Sequence, residues 1–121
     1  MKLRQSAVTG SYRPPQAGEL KHRLTIRRVI DIPAADFEVT QEYHDVIKVW
    51  GKLTPVSGAV YIGSMQVDDK ITHKALIRWR PLSSDHQIVY AGAEYRVKRV
   101  TPLNGERIWA LLDLEELRRD S

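Results

Sequence analysis

A two-residue alternation runs through this chain in short stretches, each cut off by a residue that cannot continue a strand. Leu24 and Ile26 alternate with Arg23, Thr25 and Arg27. Ile47, Val49, Gly51 and Leu53 alternate with Val46, Lys48, Trp50 and Lys52, and Ile71, His73, Ala75, Ile77 and Trp79 with Thr72, Lys74, Leu76, Arg78 and Arg80. Successive strand side chains point to opposite faces, so this period places one apolar set on a core and the other set outside. Pro55 and Pro81 stop their stretches because proline cannot donate to a ladder. Ala91-Gly92-Ala93 reads as a tight turn and Asn104-Gly105 as a hairpin signal.

Strands are therefore expected over Glu19–Val29, Tyr43–Thr54, Ile71–Arg80, His86–Tyr90, Glu94–Thr101 and Arg107–Glu115. After Pro55, Ser57 is a natural N-cap for a short helix through Met65 or Gln66, weakened by Gly58 and Gly63. In that helix Tyr61 and Met65 stand four apart, as an amphipathic face closing one barrel end would have them. The segment Ile30–Glu42 shows no sustained pattern and is expected to be a long acidic loop. The fold class follows: mostly β, a small six-stranded antiparallel β-barrel or sandwich, with one short helix after the second strand. The expected core is Leu24, Ile26, Val49, Trp50, Leu53, Ile77, Trp79, Tyr95, Val97, Ile108 and Leu112. Trp50 lies opposite the aliphatic face of its strand, which asks for a bulge or burial on both sides. Gly51 beside it fits a bulge or a close backbone approach.

The 121 residues suit one domain, and a chain of this size buries roughly two thirds of its unfolded surface without disulfides or metal. Residues 1–18 read as a flexible basic arm ending in Pro14-Pro15, residues 19–117 as a single β-barrel domain, and residues 118–121 as a charged tail. The absence of cysteine removes disulfides and thiolate chemistry and makes the cytosol the natural compartment. No apolar h-region follows Met1-Lys2-Leu3-Arg4, so no signal peptide is expected. No apolar run approaches the roughly 20 residues of a membrane span.

Net charge is +4, and it is segregated. Asp31, Asp36, Glu38, Glu42 and Asp45 fall within fifteen residues that contain no Lys or Arg, which leaves +9 on the rest of the chain. The acidic stretch is expected to be a solvated excursion. Arg78-Trp79-Arg80 and Tyr95-Arg96-Val97-Lys98-Arg99 interleave cations with aromatics. A half-buried strand produces that pattern with the aromatics in the core, and a nucleic-acid stacking platform produces it as well. Arg78, Arg80, Arg96 and Lys98 are thus the candidate contacts to DNA or to a partner.

Catalytic and metal chemistry find no support. His22, His44, His73 and His86 have no zinc-like spacing, and His73 reads as a packed or edge histidine. Asp68-Asp69 lacks the glycine-containing frame of a calcium loop. There is no Gly-x-Ser-x-Gly elbow and no phosphate-binding glycine loop. No cofactor, no metal and no enzymatic activity are expected.

Four stretches in this order carry a resemblance: Gly18–Ile26, then Val49-Trp50-Gly51-Lys52-Leu53-Thr54-Pro55-Val56-Ser57-Gly58, then Ile71–Arg80, then Ile88–Val97. Together they resemble the tailed-phage head–tail joining proteins, the head closure or stopper proteins of the siphophage type. The chain departs from that pattern at Val60, where the family often has a glutamate, and in its longer basic segment before Gly18. The resemblance implies a phage or prophage β-barrel that forms a homo-oligomeric ring beneath the portal and adaptor, although it can be monomeric when free. Such a ring closes the DNA-filled head and docks the tail, with packaged DNA passing its channel. It also implies assembly in the host cytoplasm, a place in the virion's head–tail connector and no membrane partner. On this reading Asp31, Asp36, Glu38, Glu42 and Asp45 face the channel, and Lys2, Arg4, Arg13, Tyr61 and Met65 serve interfaces. The alternative from the residues alone is a small β-barrel nucleic-acid-binding module.

Overall fold

The computed structural model describes residues 13–16, 18–66 and 70–117. Lys2 and Arg4, Asp68-Asp69 and the charged tail lie outside the described residues. The elements are β1 (His22–Pro33), β2 (Val39–Pro55), α1 (Gly58–Gln66), β3 (His73–Arg78), β4 (His86–Tyr90), β5 (Ala93–Pro102), a 3₁₀ turn (Leu103–Gly105) and β6 (Trp109–Leu117). All strand pairs are antiparallel, and the sheet closes on itself as a barrel in the order β1-β2-β3-β6-β5-β4. The closing seam is short: Thr25 to Arg28 of β1 pair with Val89 to His86 of β4.

The alternation read from the sequence puts the core where the barrel needs it. Leu24, Ile26, Ile77, Ile88, Val97 and Leu112 are essentially fully buried, with Ala75, Ala110, Leu114 and Tyr95 filling between them. Val49, Leu53 and Trp79 are partly buried and pack against this cluster. Two expected core residues are not in it. Trp50 is 54% exposed, because on a strand of a closed barrel the face opposite Val49 and Gly51 is the outer wall. Ile108 is 50% exposed, since β6 starts one residue later, at Trp109. Gly51 faces inward at a point of close approach: a Cβ there would stand 2.6 Å from Leu24 Cδ1 and 2.9 Å from Ile77 Cγ2.

The acidic Ile30–Glu42 segment is not a loop. β1 continues through it to Pro33 and β2 begins at Val39, paired from Val29↔Tyr43 to Pro33↔Val39. Only Ala34–Glu38 turn, closed by Ala34 N–H donating to Glu38 O at 2.7 Å and Phe37 N–H to Ala34 O at 3.3 Å. Beyond Arg28 no other strand among the described residues pairs with β1, so this hairpin leaves the barrel as a two-stranded arm. Apolar alternation cannot announce such a pair, because neither of its faces lies on a core. At the arm's root the register shifts between Ile26 and Arg28. Asp45 there adopts φ 54°, and its carboxylate accepts from Arg28 Nε at 3.0 Å.

A second shift, between Val97 and Arg99 on β5, reverses the expected parity of that strand. Val100, which strict alternation from Tyr95 and Val97 would put on the outer face, therefore packs on the core. The turns match their sequence signals. Ala91 and Gly92 (φ 52° and 82°) join β4 to β5, and Asn104 and Gly105 (φ 56° and 74°) follow Leu103.

Helix α1 starts as expected. Ser57 Oγ accepts from Val60 N–H at 3.2 Å, and Ser57 O from Tyr61 N–H at 3.0 Å. It is not an embedded amphipathic cap, for none of its residues is buried and Val60, Ile62 and Met65 are exposed. Gly-Ala-Val-Tyr-Ile-Gly-Ser-Met-Gln has no polar face to set against an apolar one, so packing does not choose a side. Ser64 ties it to the chain that follows, accepting from Ile71 N–H at 3.0 Å.

Candidate functional site

The outer wall carries an ordered row of alternating side chains. Arg23 on β1 pairs with Trp50 on β2, and Arg78 on β3 pairs with Trp109 on β6. Gly51↔Ile77 is the adjoining pair between β2 and β3, so Trp50 and Arg78 are next to each other. Across four strands the row reads Arg, Trp, Arg, Trp. The Arg23 guanidinium lies 5.0 Å from the Trp50 ring centroid and the Arg78 guanidinium 4.9 Å from that of Trp109. These are cation–π contacts, each worth about 0.5–1 kcal/mol at exposed sites. Pro15, Gln16, Gly18, Leu20 and Arg80 complete a groove of about 660 Å³ around them. No acid lines it, and Arg23, Arg78 and Arg80 make no ion pair among the described residues.

The approach to this groove is held by Glu19. Its carboxylate accepts from Gln16 N–H at 2.8 Å and pairs with Arg13 at 3.2 Å and Lys52 at 4.0 Å. The Gln16 bond chiefly keeps its pKa below the ordinary 4.5; burial opposes the shift, and Arg13 and Lys52 add to the lowering. Arg13, expected to serve an interface, is exposed and tied to its own chain by this bridge.

The arm is the second feature. All five acids of the Asp31–Asp45 stretch are exposed on it. Asp31 accepts from Gln41 Nε2 at 3.3 Å, and Glu42 lies 3.0 Å from His44 Nε2. Asp36 and Glu38, at the tip, carry no ion pair among the described residues. Between them Phe37 is fully exposed at φ 65°, a left-handed conformation that a bulky residue adopts at a cost of about 1–2 kcal/mol. Val39 and Val46 are exposed as well. The arm's root is clamped by Arg27, whose guanidinium lies 3.7 Å from the Tyr43 ring centroid, bridges to Glu94 at 2.9 Å and donates to Gln87 Oε1 at 3.1 Å.

The four cations singled out in the sequence separate onto two surfaces. Arg78 and Arg80 belong to the groove with Trp50 and Trp109. Arg96 and Lys98 line another depression, of about 470 Å³, with Asp31 and Asp85, and Lys98 is paired with Glu115 at 3.6 Å. The Arg78-Trp79-Arg80 alternation named the right stretch and the wrong tryptophan, because Trp79 turns inward while Trp50 and Trp109 come from other strands. Arg23 and Phe37 had no local signal. Tyr61 and Met65 share α1, with Tyr61 against a cleft of about 580 Å³ lined by Thr72, His73 and Glu116, and Met65 exposed. In that cleft His73 meets the Tyr95 ring edge-on at 4.8 Å, and burial lowers its pKa below 6.5 while Glu116 opposes the shift. Burial likewise raises the Tyr95 phenol, with Glu116 and Tyr90 adding to the effect.

Among the described residues no group of three or more His, Asp or Glu side chains could hold a metal ion. No helix among them is long and apolar enough to cross a membrane.

The sequence model of the phage head completion protein family matches residues 15–117. The chain belongs to that family. The match spans the barrel, the arm and α1, and makes the chain a structural phage head–tail connector component of the virion, one that acts with other phage head and tail proteins. Among solved structures, the solution structure of protein SF1141 from Shigella flexneri 2a is similar, with a TM-score of 0.63 at 20% identity. That similarity covers 84% of this chain and 96% of the other, and at this identity it speaks for the fold. No curated protein sequence matches the chain at a comparable level.

Proposed function

We propose that the chain assembles as a homo-oligomeric ring beneath the portal and adaptor of a phage head, closes the DNA-filled head and presents the surface on which the tail docks. The observation that supports this reading is the arm. A two-stranded hairpin outside a sheet is marginal in water by itself, and this one displays a fully exposed Phe37 between two acids that make no ion pair among the described residues. Such an element suits a molecule whose working state is an assembly, where neighbouring protein covers it. Helix α1, with Val60, Ile62 and Met65 exposed, is a second surface suited to a protein partner. Assembly would take place in the host cytoplasm and leave the protein in the virion neck.

The test is reconstitution. DNA-filled heads assembled without this chain should acquire a ring at the portal vertex and accept tails when the purified chain is added, as read by electron microscopy and infectivity. Heads that neither bind the chain nor gain tails would overturn the reading.

The Arg-Trp groove favours a second reading, a nucleic-acid-binding barrel. It predicts affinity for single-stranded or duplex DNA that falls steeply with salt and depends on Arg78 and Arg80. Flat titrations at low salt would remove it.

A further inference from the structure

We infer that the groove lined by Arg23, Trp50, Arg78 and Trp109 is the receptor for the tip of the acidic arm, Asp36-Phe37-Glu38, of a neighbouring copy of the same chain. The inference rests on the ring reading and names the contact that would build the ring.

Three observations carry it. The first is charge complementarity. The arm carries five acids without Lys or Arg, while the described residues that line the groove include three arginines and no acid. Asp36 and Glu38 on the tip and Arg23, Arg78 and Arg80 in the groove are among the charged groups that make no ion pair among the described residues. Guanidinium groups bind carboxylates through two parallel hydrogen bonds, which gives such a contact direction as well as strength.

The second is the order of side chains. The tip reads acid, aromatic, acid; the wall reads cation, indole, cation, indole. An aromatic ring set between two carboxylates fits a row in which indoles alternate with guanidinium groups. Phe37 holds its place at φ 65°, where glycine or asparagine would be easier, so this position has been given to a large apolar ring against local preference.

The third is distance. Arg23 and Pro33 stand ten residues apart on one strand, roughly 33 Å at the rise of a β-strand. The arm points away from its own groove and cannot fill it. A tip on one side meeting a groove on another joins copies head to tail, and a heterologous contact of that kind closes into a ring when its rotation permits. DNA is the weaker occupant, because Trp50 and Trp109 each already carry a guanidinium group over the ring, which leaves less of the indole surface for bases to stack on.

The chain contains no cysteine, which allows a clean cross-linking test. The full-length protein carrying both Glu38→Cys and Arg78→Cys is oxidised, once in concentrated solution and once on reconstituted heads. A ladder of covalent multimers in either setting is expected, while each single variant stops at dimers. Absence of the ladder in both overturns the inference. In parallel, Asp36→Arg with Glu38→Arg, and separately Arg23→Glu with Arg78→Glu, should each lower tail joining by at least about a hundredfold, as loss of paired interface charges does. An equimolar mixture of the two reversed proteins should restore it, since each arm then meets a groove of opposite sign. These positions are exposed or half-exposed, so unchanged melting curves will separate interface loss from misfolding.

If the reversed variants join tails as well as the unaltered chain, the docking is refuted and the connector reading stands. If the unaltered chain fails on heads yet the ladder forms in solution, the docking stands and the connector reading falls. Loss of affinity for a DNA oligonucleotide in the groove variant, with no ladder, would reassign the groove to nucleic acid.

Discussion

His73 couples protonation to folding. Its ring is half-buried against Tyr95, with Nδ1 2.9 Å from Thr72 Oγ1, and burial disfavours the imidazolium. The folded pKa lies below 6.5, so at pH values between the two the unfolded chain binds the extra proton. His73 therefore contributes stability above the unfolded value that is lost as pH falls through the folded one. Urea unfolding at about pH 7 and about pH 5 should show the loss, and His73→Gln should reduce the difference between the two conditions. An identical pH dependence in that variant would mean other groups carry it. A packed histidine on the Ile71/Ile77 face was legible from alternation alone. Gly51 was legible to the same degree: a glycine inside a strand announces a bulge or a close approach, and the 2.6 Å between a Cβ there and Leu24 Cδ1 decides for the second. Phe37 was not legible, because nothing in Ala-Asp-Phe-Glu announces a positive φ.

At the level of elements, strands that line the core could be read and the strand pair that leaves it could not. β1 and β2 were expected to end near Val29 and to begin near Tyr43, where burial stops. Backbone pairing continues to Pro33↔Val39 without it. Beyond its clamped root the arm is held by its own ladder and should open often. In hydrogen exchange of the free chain, the amides of Ile30–Ile32 and Thr40–Glu42 should exchange much faster than those of Leu24, Ile26, Leu112 and Leu114, whose side chains are buried. Equal protection would mean the arm is stabilised by more than its own pairing. Helix α1 shows the complementary case. Its N-cap was plain in Pro-Val-Ser-Gly, but the cap decides where a helix begins and not what it packs on, and no residue of α1 is buried.

On the scale of the molecule, closure of the sheet turns each strand's two faces into an inside and an outside. Leu24 and Trp50 mark the two. Leu24→Ala empties a fully buried position and should cost about 2–5 kcal/mol. Trp50→Ala removes a half-exposed ring held by Arg23 and should cost about 1 kcal/mol or less. Chemical denaturation of both variants checks the pair. A Trp50 variant as unstable as the Leu24 variant would place that indole in the core after all.

By itself, the sequence determined the number and order of the strands, the turn at Ala91-Gly92, the start of the helix and most of the core, because each of these follows from side-chain period or local backbone preference. It also carried, through four ordered stretches, the resemblance that the family match over residues 15–117 confirms. Only the tertiary structure decided the barrel's closure, the two register shifts, the arm and the Arg23-Trp50-Arg78-Trp109 row. Those depend on which residues of distant strands stand opposite one another. The register between strands is set by the packing of the whole core, and no single stretch of chain contains it.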